Sequence, residues 1–264
     1  MHSLASSYRD YLKMSKGNNG VPLDIDVNEV VQKLKGTISI TSRFAPVIFL
    51  SDYTQGKYIY VDELCFSVLG FSAKYFMEMG VESYLSKWHP EDFNIFNNKI
   101  FPYNINFLKN LPLEKYQDVV FSYNYRILNA EGAYLTMLQR FSFLPGNIMG
   151  KPLGILGMII DITHFKNDSV VVHTIEEIDT REHIQKTMLL YKRNYLPNDK
   201  LHALSKREIE ILKLMGRGLS SKQIAGELTL SINTINNHRK NMLRKTSSAN
   251  SSDLLNTAIK LGFI

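Results

Sequence analysis

Between Ser231 and Thr246 the chain carries four asparagines, four basic residues and no carboxylate. At helical periodicity Asn233, Asn237, Lys240 and Arg244, spaced four, three and four, share one face, with Asn236, Arg239, Asn241 and Lys245 beside them. Cations on such a face neutralise phosphates, and an asparagine offers the donor–acceptor pair that matches an adenine edge, the inventory wanted in a DNA major groove. The plainer reading of an isolated polar face is a solvated side of a structural helix. Charge distribution argues against it. Residues 1–200 hold 21 Lys+Arg against 21 Asp+Glu, whereas residues 201–264 hold 10 against 4, so the formal net charge of +6 resides in the last quarter.

The elements that must present this face are announced by capping signals. Ser205 stands three before Glu208 and Ser220 three before Gln223, two capping boxes that start two helices. Gly218 closes the first by taking a left-handed conformation. Ser231 opens a third helix after the short connection Thr229-Leu230, and Asn250, three before Asp253, opens a fourth that carries Leu254, Leu255, Ala258 and Ile259. Apolar positions Ile211, Leu212, Leu214, Met215, Ile224, Ala225, Leu228, Ile232, Ile235 and Met242 are expected to share a small core, leaving the polar face of the third helix outside.

Read in order, LSKREIEIL, GLSSKQIAGEL, LSINTINNH and KNMLRK make residues 203–262 resemble the helix-turn-helix domain of the LuxR (GerE) family. The resemblance implies that the third helix enters the major groove, with Asn236, Asn237 and Lys240 at base edges and Lys222, Thr234 and Asn241 at phosphates. Adding the helical face itself, the base-facing set is Asn233, Asn236, Asn237, Lys240 and Arg244, and the phosphate set Lys222, Thr234, Arg239, Asn241 and Lys245. Two departures stand out: the family usually has lysine where Asn236 stands and an arginine near Ser251. Asparagine favours adenine, so an A/T-leaning half-site is expected.

Upstream the rhythm changes. Strand-like runs occupy residues 44–51 and 57–61, short helices follow at 63–69, 72–79 and from Pro90, and three longer strands lie at 118–128, 134–144 and 153–163, with a hairpin turn at Asn129-Ala130-Glu131-Gly132. This β-β-α-α-α-β-β-β order, with YVDELCFSVLGFS, WHPEDF and GILGMIIDITHFK, resembles a PAS sensor domain. The resemblance implies a five-stranded antiparallel sheet whose helices enclose a cavity. Phe49, Tyr60, Phe66, Phe71, Trp88, Tyr123, Tyr125, Phe141 and Met158 are the candidate walls; plain core is the alternative for each. An aromatic interior of this type suits a small organic ligand, and no cofactor is required.

Other chemistries lack their signatures. One cysteine, Cys65, excludes an internal disulfide framework and a multi-cysteine zinc site, and its surroundings, LCFSVL, suit a buried helical position. His89 precedes a proline at a helix start, where capping or packing is expected, and His164 and His173 lie nine apart, which is no metal-ligand spacing. There is no GxSxG elbow, P-loop or HExxH, so no enzyme is expected. Between the two regions, residues 169–178 read as an extra strand. Residues 180–195 read as a helix with the stripe Ile184, Met188, Tyr191 and Tyr195, stopped by Pro197 and followed by a hinge at 198–200. Residues 1–35 carry a further apolar stripe, Leu4, Tyr8, Tyr11, Leu12, Val27, Val30, Val31 and Leu34, expected as helices that cover the sensor or a partner.

The expected architecture is therefore α+β: an N-terminal helical cover (1–36), a PAS-like sensor (37–165), a connector strand and helix (166–200) and an all-α four-helix helix-turn-helix domain (201–264). The expected partner is double-stranded DNA, bound by a homodimer, with RNA polymerase a candidate partner. Neither a leader nor a membrane span is read in the chain, so a cytoplasmic, bacterial regulator is expected. Two alternatives are a sensor domain that only docks or dimerises, and a sigma-factor-like reader, which shares the GLSxxxIA pattern but needs an upstream polymerase-binding helical domain.

Overall fold

The computed structural model describes residues 7–17, 46–166, 168–179, 186–196 and 204–260. Two compact units divide the chain at Lys192/Arg193. In the first, helix α1 (Tyr8–Gly17) precedes strands β1 (Val47–Asp52) and β2 (Lys57–Val61), followed by short helices α2 (Leu64–Leu69), α3 (Ala73–Met79), α4 (Val81–Leu85) and α5 (Pro90–Ile95). The last of these continues through a wide π turn, Phe96–Ile100, into α6 (Phe101–Leu108). Pro102 has no N–H for the carbonyl one turn back, and the loosened turn immediately before it absorbs that break in the ladder. Strands β3 (Val119–Leu128), β4 (Tyr134–Leu144) and β5 (Gly154–Asp161) complete the PAS-like order.

The sheet runs β2-β1-β5-β4-β3, antiparallel at each of those pairings, and is extended at the β3 edge by β6 (Val171–Asp179) and β7 (Lys186–Tyr195) to seven strands. The expected extra strand is thus present as β6, antiparallel to β3. From Lys186 onward the expected connector helix is replaced by β7. Met188-Leu189-Leu190-Tyr191 is an apolar run that satisfies either period, and extending the sheet wins over local helix propensity. Tyr191 then stacks on Tyr103 of α6, ring centroids 4.1 Å apart. Thr180, Ile184, Pro197 and the 198–200 hinge lie outside the described residues, as do Leu4, Val27, Val30, Val31 and Leu34 of the N-terminal stripe.

Local chemistry holds this frame. Asn129 Oδ1 accepts from the N–H groups of Glu131 and Ala133, and Gly132 turns at φ 82°, closing the β3–β4 hairpin where expected. Within WHPEDF, Asp92 is buried and takes Arg126 on both carboxylate oxygens, Nε to Oδ2 at 2.9 Å and Nη2 to Oδ1 at 2.7 Å, plus the Arg126 N–H at 2.7 Å. This clamp ties α5 to β3. His89 contributes its backbone at the start of α5, without a side-chain cap, and its ring packs on Tyr134. At the strand exit, Asp161 accepts from the Thr163 N–H, and Thr163 Oγ1 accepts from Thr136 N–H, so the Asp-Ile-Thr segment is a turn sewn onto β4.

The second unit holds α7 (Lys206–Gly216), α8 (Ser221–Glu227), α9 (Ile232–Thr246) and α10 (Ser251–Lys260). Both expected capping boxes form, Ser231 accepts from the Thr234 N–H, and Asn250 accepts from the Asp253 N–H. Gly218 sits at φ 85° after α7. The core gathers Ile211, Leu212, Leu214, Met215, Ile224, Ala225, Ile235, Met242, Leu254 and Ala258, with Leu204 from the entry and Leu228 and Leu255 partly buried against it. One expected core member lies outside: Ile232 is 45 % exposed. Ile232 is the first helical residue of α9, one turn before Asn236, and so belongs to the open stripe rather than the seam. Among the described residues no helix is long and apolar enough to cross a membrane, and no group of three or more His, Cys, Asp or Glu is placed to hold a metal ion.

Candidate nucleic-acid interface

Helix α9 buries Ile235 and Met242 and leaves Asn233, Asn236, Asn237, Lys240, Asn241 and Arg244 exposed. The turn before it is tight: Thr229 takes φ 53°, and the Leu230 N–H bonds the Ala225 carbonyl at 2.9 Å. Holding α8 against α9 this closely needs a small residue at the crossing, and Ala225 is buried there. Lys222 is exposed in the first turn of α8, whereas Thr234 is half-buried, its hydroxyl bonded to that of Ser231. Asn241 accepts from Arg244 Nη2 at 3.4 Å, a loose pairing on the open side.

Two members of the phosphate set have other work. Lys245 Nζ is 2.8 Å from Glu208 Oε2, a carboxylate buried at the start of α7 that also accepts from the Ser205 N–H at 2.7 Å. Burial acts to raise the Glu208 carboxyl, but Lys245 and the Ser205 hydrogen bonds outweigh it and hold the group below its ordinary value. Arg239 spans two neighbours, donating to Ser221 Oγ at 2.8 Å and Ser251 Oγ at 3.1 Å. These cations join α9 to α7, α8 and α10 and set its pose. In the sequence their signal was a periodicity that put them beside the polar face rather than on it. Ser251, where the family more often has arginine nearby, is one end of that joint.

Residues 202–258 match the family of bacterial regulatory proteins, luxR family (GerE). This segment is a LuxR-type helix-turn-helix domain. It is 36 % identical over 63 residues to the oxygen regulatory protein NreC of Staphylococcus carnosus, a stretch covering 24 % of this chain and 29 % of that protein. It is 39 % identical over 59 residues to the uncharacterized response regulatory protein YgeK of Escherichia coli, covering 22 % and 40 %. The likeness to these relatives is thus confined to the LuxR-type domain, and the chain spans less than half the length of either. Solved structures similar to more of the chain include the phage VqmA–DPO complex, at 16 % identity and TM-score 0.31 over 89 % of each chain. The VqmA dimer of Vibrio cholerae overlays at 14 % identity and TM-score 0.32, covering 88 % of each. The N-terminal domain of a Marinobacter aquaeolei diguanylate cyclase with PAS/PAC sensor overlays at 16 % identity and TM-score 0.35, covering 46 % of this chain and 98 % of that one.

Beneath the helices of the sheet unit lie two small voids. One, of about 20 Å³, is lined by Phe49, Tyr58, Cys65, Leu69, Phe76 and Gln139 among others; the second, of about 30 Å³, is lined by residues that include Tyr8, Ser51, Tyr53, Trp88, Tyr123 and Phe141. Of the candidate walls, Phe49, Trp88, Tyr123 and Phe141 line the second void, while Tyr60, Phe66, Phe71, Tyr125 and Met158 line neither. Phe66 is 61 % exposed on α2. Met158 pairs with Ile48 and Arg140 on the face opposite Ile159, and Tyr125 lies behind Trp88, stacked at 3.8 Å. A β-bulge explains Tyr60: the register slips between Leu50 and Ser51, so Tyr58 joins Val61 on the inner face and Tyr60 turns outward to bond Asp62.

Gly157 lets the floor close. A Cβ there would stand 2.6 Å from that of Phe141 and 3.0 Å from the Phe49 ring tip. Above it, Gln139 donates to the Tyr123 hydroxyl at 3.0 Å and accepts from Tyr125 at 3.3 Å, and Tyr125 in turn meets the Tyr84 hydroxyl. Cys65 is buried on α2, where desolvation and nearby Glu63 and Asp62 push its thiol up to about 12.

Proposed function

We propose that the chain is a sequence-specific DNA-binding transcription regulator, cytoplasmic and homodimeric, whose PAS-like unit senses a small organic molecule. The observation that carries the reading is the open side of α9: Asn233, Asn236, Asn237, Lys240 and Arg244 stay in solvent while Ile235 and Met242 on the other side are fully buried. A face with cations and amide groups and no acid is suited to phosphates and base edges together. Exposed Ile232, one turn before Asn236, adds an apolar surface for thymine methyl groups, in keeping with an A/T-leaning half-site. Lys222, Thr234 and Asn241 serve the phosphates, while Arg239 and Lys245 set the pose of the helix through Ser221, Ser251 and Glu208. A dimer would place two such helices about one helical turn apart on the duplex.

The test is a comparison of two lysines on an operator selected from random duplexes. Lys240→Ala should relax preference at one base pair, costing about 1 to 3 kcal/mol on the operator, whereas Lys222→Ala should weaken all sequences alike and flatten the salt dependence. Equal losses on operator and random DNA for both variants would remove these roles, and salt-independent binding would remove the DNA-binding reading.

A further inference from the structure

The turn between α8 and α9 keeps a conformation that its own residue disfavours. Thr229 takes φ 53°, and among the described residues Ser247 is the one other non-glycine with a positive φ. A left-handed residue just after a helix is usually glycine, because a side chain there crowds the backbone, and a β-branched one does so most. Thr229 is exposed, so packing of its own side chain does not offset the strain.

What opposes relaxation comes from another helix. Arg207, half-buried in the first turn of α7, donates from Nη2 to the Leu228 carbonyl at 3.1 Å, while its Nη1 is held by Glu210 at 2.6 Å. That carbonyl belongs to the Leu228–Thr229 peptide, the plane that must rotate for Thr229 to leave positive φ. It is also an orphan acceptor at the end of α8, where a cation is favoured. A guanidinium engaged through both arms of its planar fork therefore fixes the peptide that sets the turn.

The cap of α9, Ser231, follows two residues later. Arg239 and Lys245 pin the middle and end of that helix, but its leading turns, with Asn233, Asn236 and Asn237, extend ahead of both pins. Asn233 lies six residues before Arg239, about 9 Å along the axis, so a tilt of about 10° displaces it by about 1.5 Å. Such a shift breaks base-edge hydrogen bonds, which demand both distance and angle, and leaves the attraction to phosphates largely intact.

We propose that Arg207 is a positioning residue for base reading: by holding the Leu228 carbonyl it keeps Thr229 left-handed and so aims the leading half of α9. The inference rests on the DNA-binding reading of α9 and adds to it a residue that acts through the turn and touches no base.

The test uses the full chain, an operator selected from random duplexes, and the ratio of operator to random affinity, in which the general effect of a lost positive charge cancels. Arg207→Ala should lower that ratio roughly five- to tenfold, the loss of one charge-assisted hydrogen bond. Arg207→Lys, which keeps the charge but not the fork, should lower it by less, and this variant carries the test if Arg207→Ala does not fold. Adding Thr229→Gly should restore most of the ratio, because glycine accepts the left-handed conformation without a holder. Independently of DNA, the Leu230 N–H, bonded to the Ala225 carbonyl at 2.9 Å, should exchange with solvent several-fold faster in Arg207→Ala. Equal losses on operator and random DNA overturn the positioning role and leave the DNA-binding reading standing. A ratio that falls, with no rescue by Thr229→Gly and no change in Leu230 exchange, overturns the action through the turn. Parent protein that binds no duplex in a salt-dependent way removes the DNA-binding reading, and this role with it.

Discussion

The two units of this chain treat polar side chains in opposite ways. In the helical unit a shared apolar core is wrapped by polar residues, and the face that faces DNA in the proposal is simply what the core leaves over. In the sheet unit polar groups go inside: Asp92 grips Arg126, Gln139 links Tyr123 and Tyr125, and Ser51 Oγ and Trp88 Nε1 find no partner among the described residues. The difference teaches that an open polar surface needs only a stable scaffold behind it, whereas a polar interior depends on partners brought from other strands and helices.

That contrast can be attacked through stability. The largest effect is expected from Asp92→Ala, which leaves the Arg126 guanidinium and N–H without their carboxylate and should destabilise the sheet unit by about 3 to 5 kcal/mol. Urea unfolding followed by Trp88 emission reads this unit, and a midpoint unchanged from the parent would mean the interior clamp is idle. Next, Glu208→Ala removes a capping-box partner and strands Lys245, a loss of roughly 2 kcal/mol in the helical unit.

The Glu208 carboxyl is held below its ordinary value. Its contribution is therefore full at neutral pH and disappears as acid carries the pH through that lowered value. The melting gap between parent and Glu208→Gln should accordingly close in acid; a gap that widens there contradicts the assigned pairing. A smaller change is expected from Ser220→Ala, about 1 kcal/mol for one N-cap, visible by helical circular dichroism with Trp88 emission unaffected.

The smallest effect at neutral pH belongs to His173, buried on β6 beside Tyr103 and Tyr191, whose imidazole burial pushes down to about 3. The folded state keeps it neutral while the unfolded chain takes up a proton near its ordinary value of 6.5. The sheet unit should therefore lose stability as pH falls from there towards about 3. His173→Phe should flatten that slope in the Trp88 unfolding curve; an unaltered slope assigns the pH dependence elsewhere.

The helical unit was legible because each of its signals is local. Capping boxes close within four residues, and a 3.6-residue period separates core from surface, so Ser205, Ser220, Ser231 and Asn250 and the open stripe of α9 follow from spacing. Ile232, expected in the core, lies in the open stripe, and Arg239 and Lys245 take partners on other helices; each lies at the border between faces, where a residue on another element decides. In the sheet unit the order of elements was readable, and so were the hairpin turn and buried Cys65, but the walls of the void were not. A single bulge in β2 exchanged Tyr60 for Tyr58, and residues 186–195 became a strand because an unfilled sheet edge outweighed their helical stripe.

By itself, the sequence determined the class of each unit, the boundaries of most helices and the concentration of positive charge in the last quarter, because these depend on neighbours within a turn or two along the chain. Only the tertiary structure decided which cations face outward on α9, which aromatic rings face inward and where Ser51 and Trp88 bury polar atoms beside a void. Those outcomes depend on residues brought together from distant parts of the chain, Glu208 with Lys245 and Ser51 with Trp88, whose meeting has no signature in spacing.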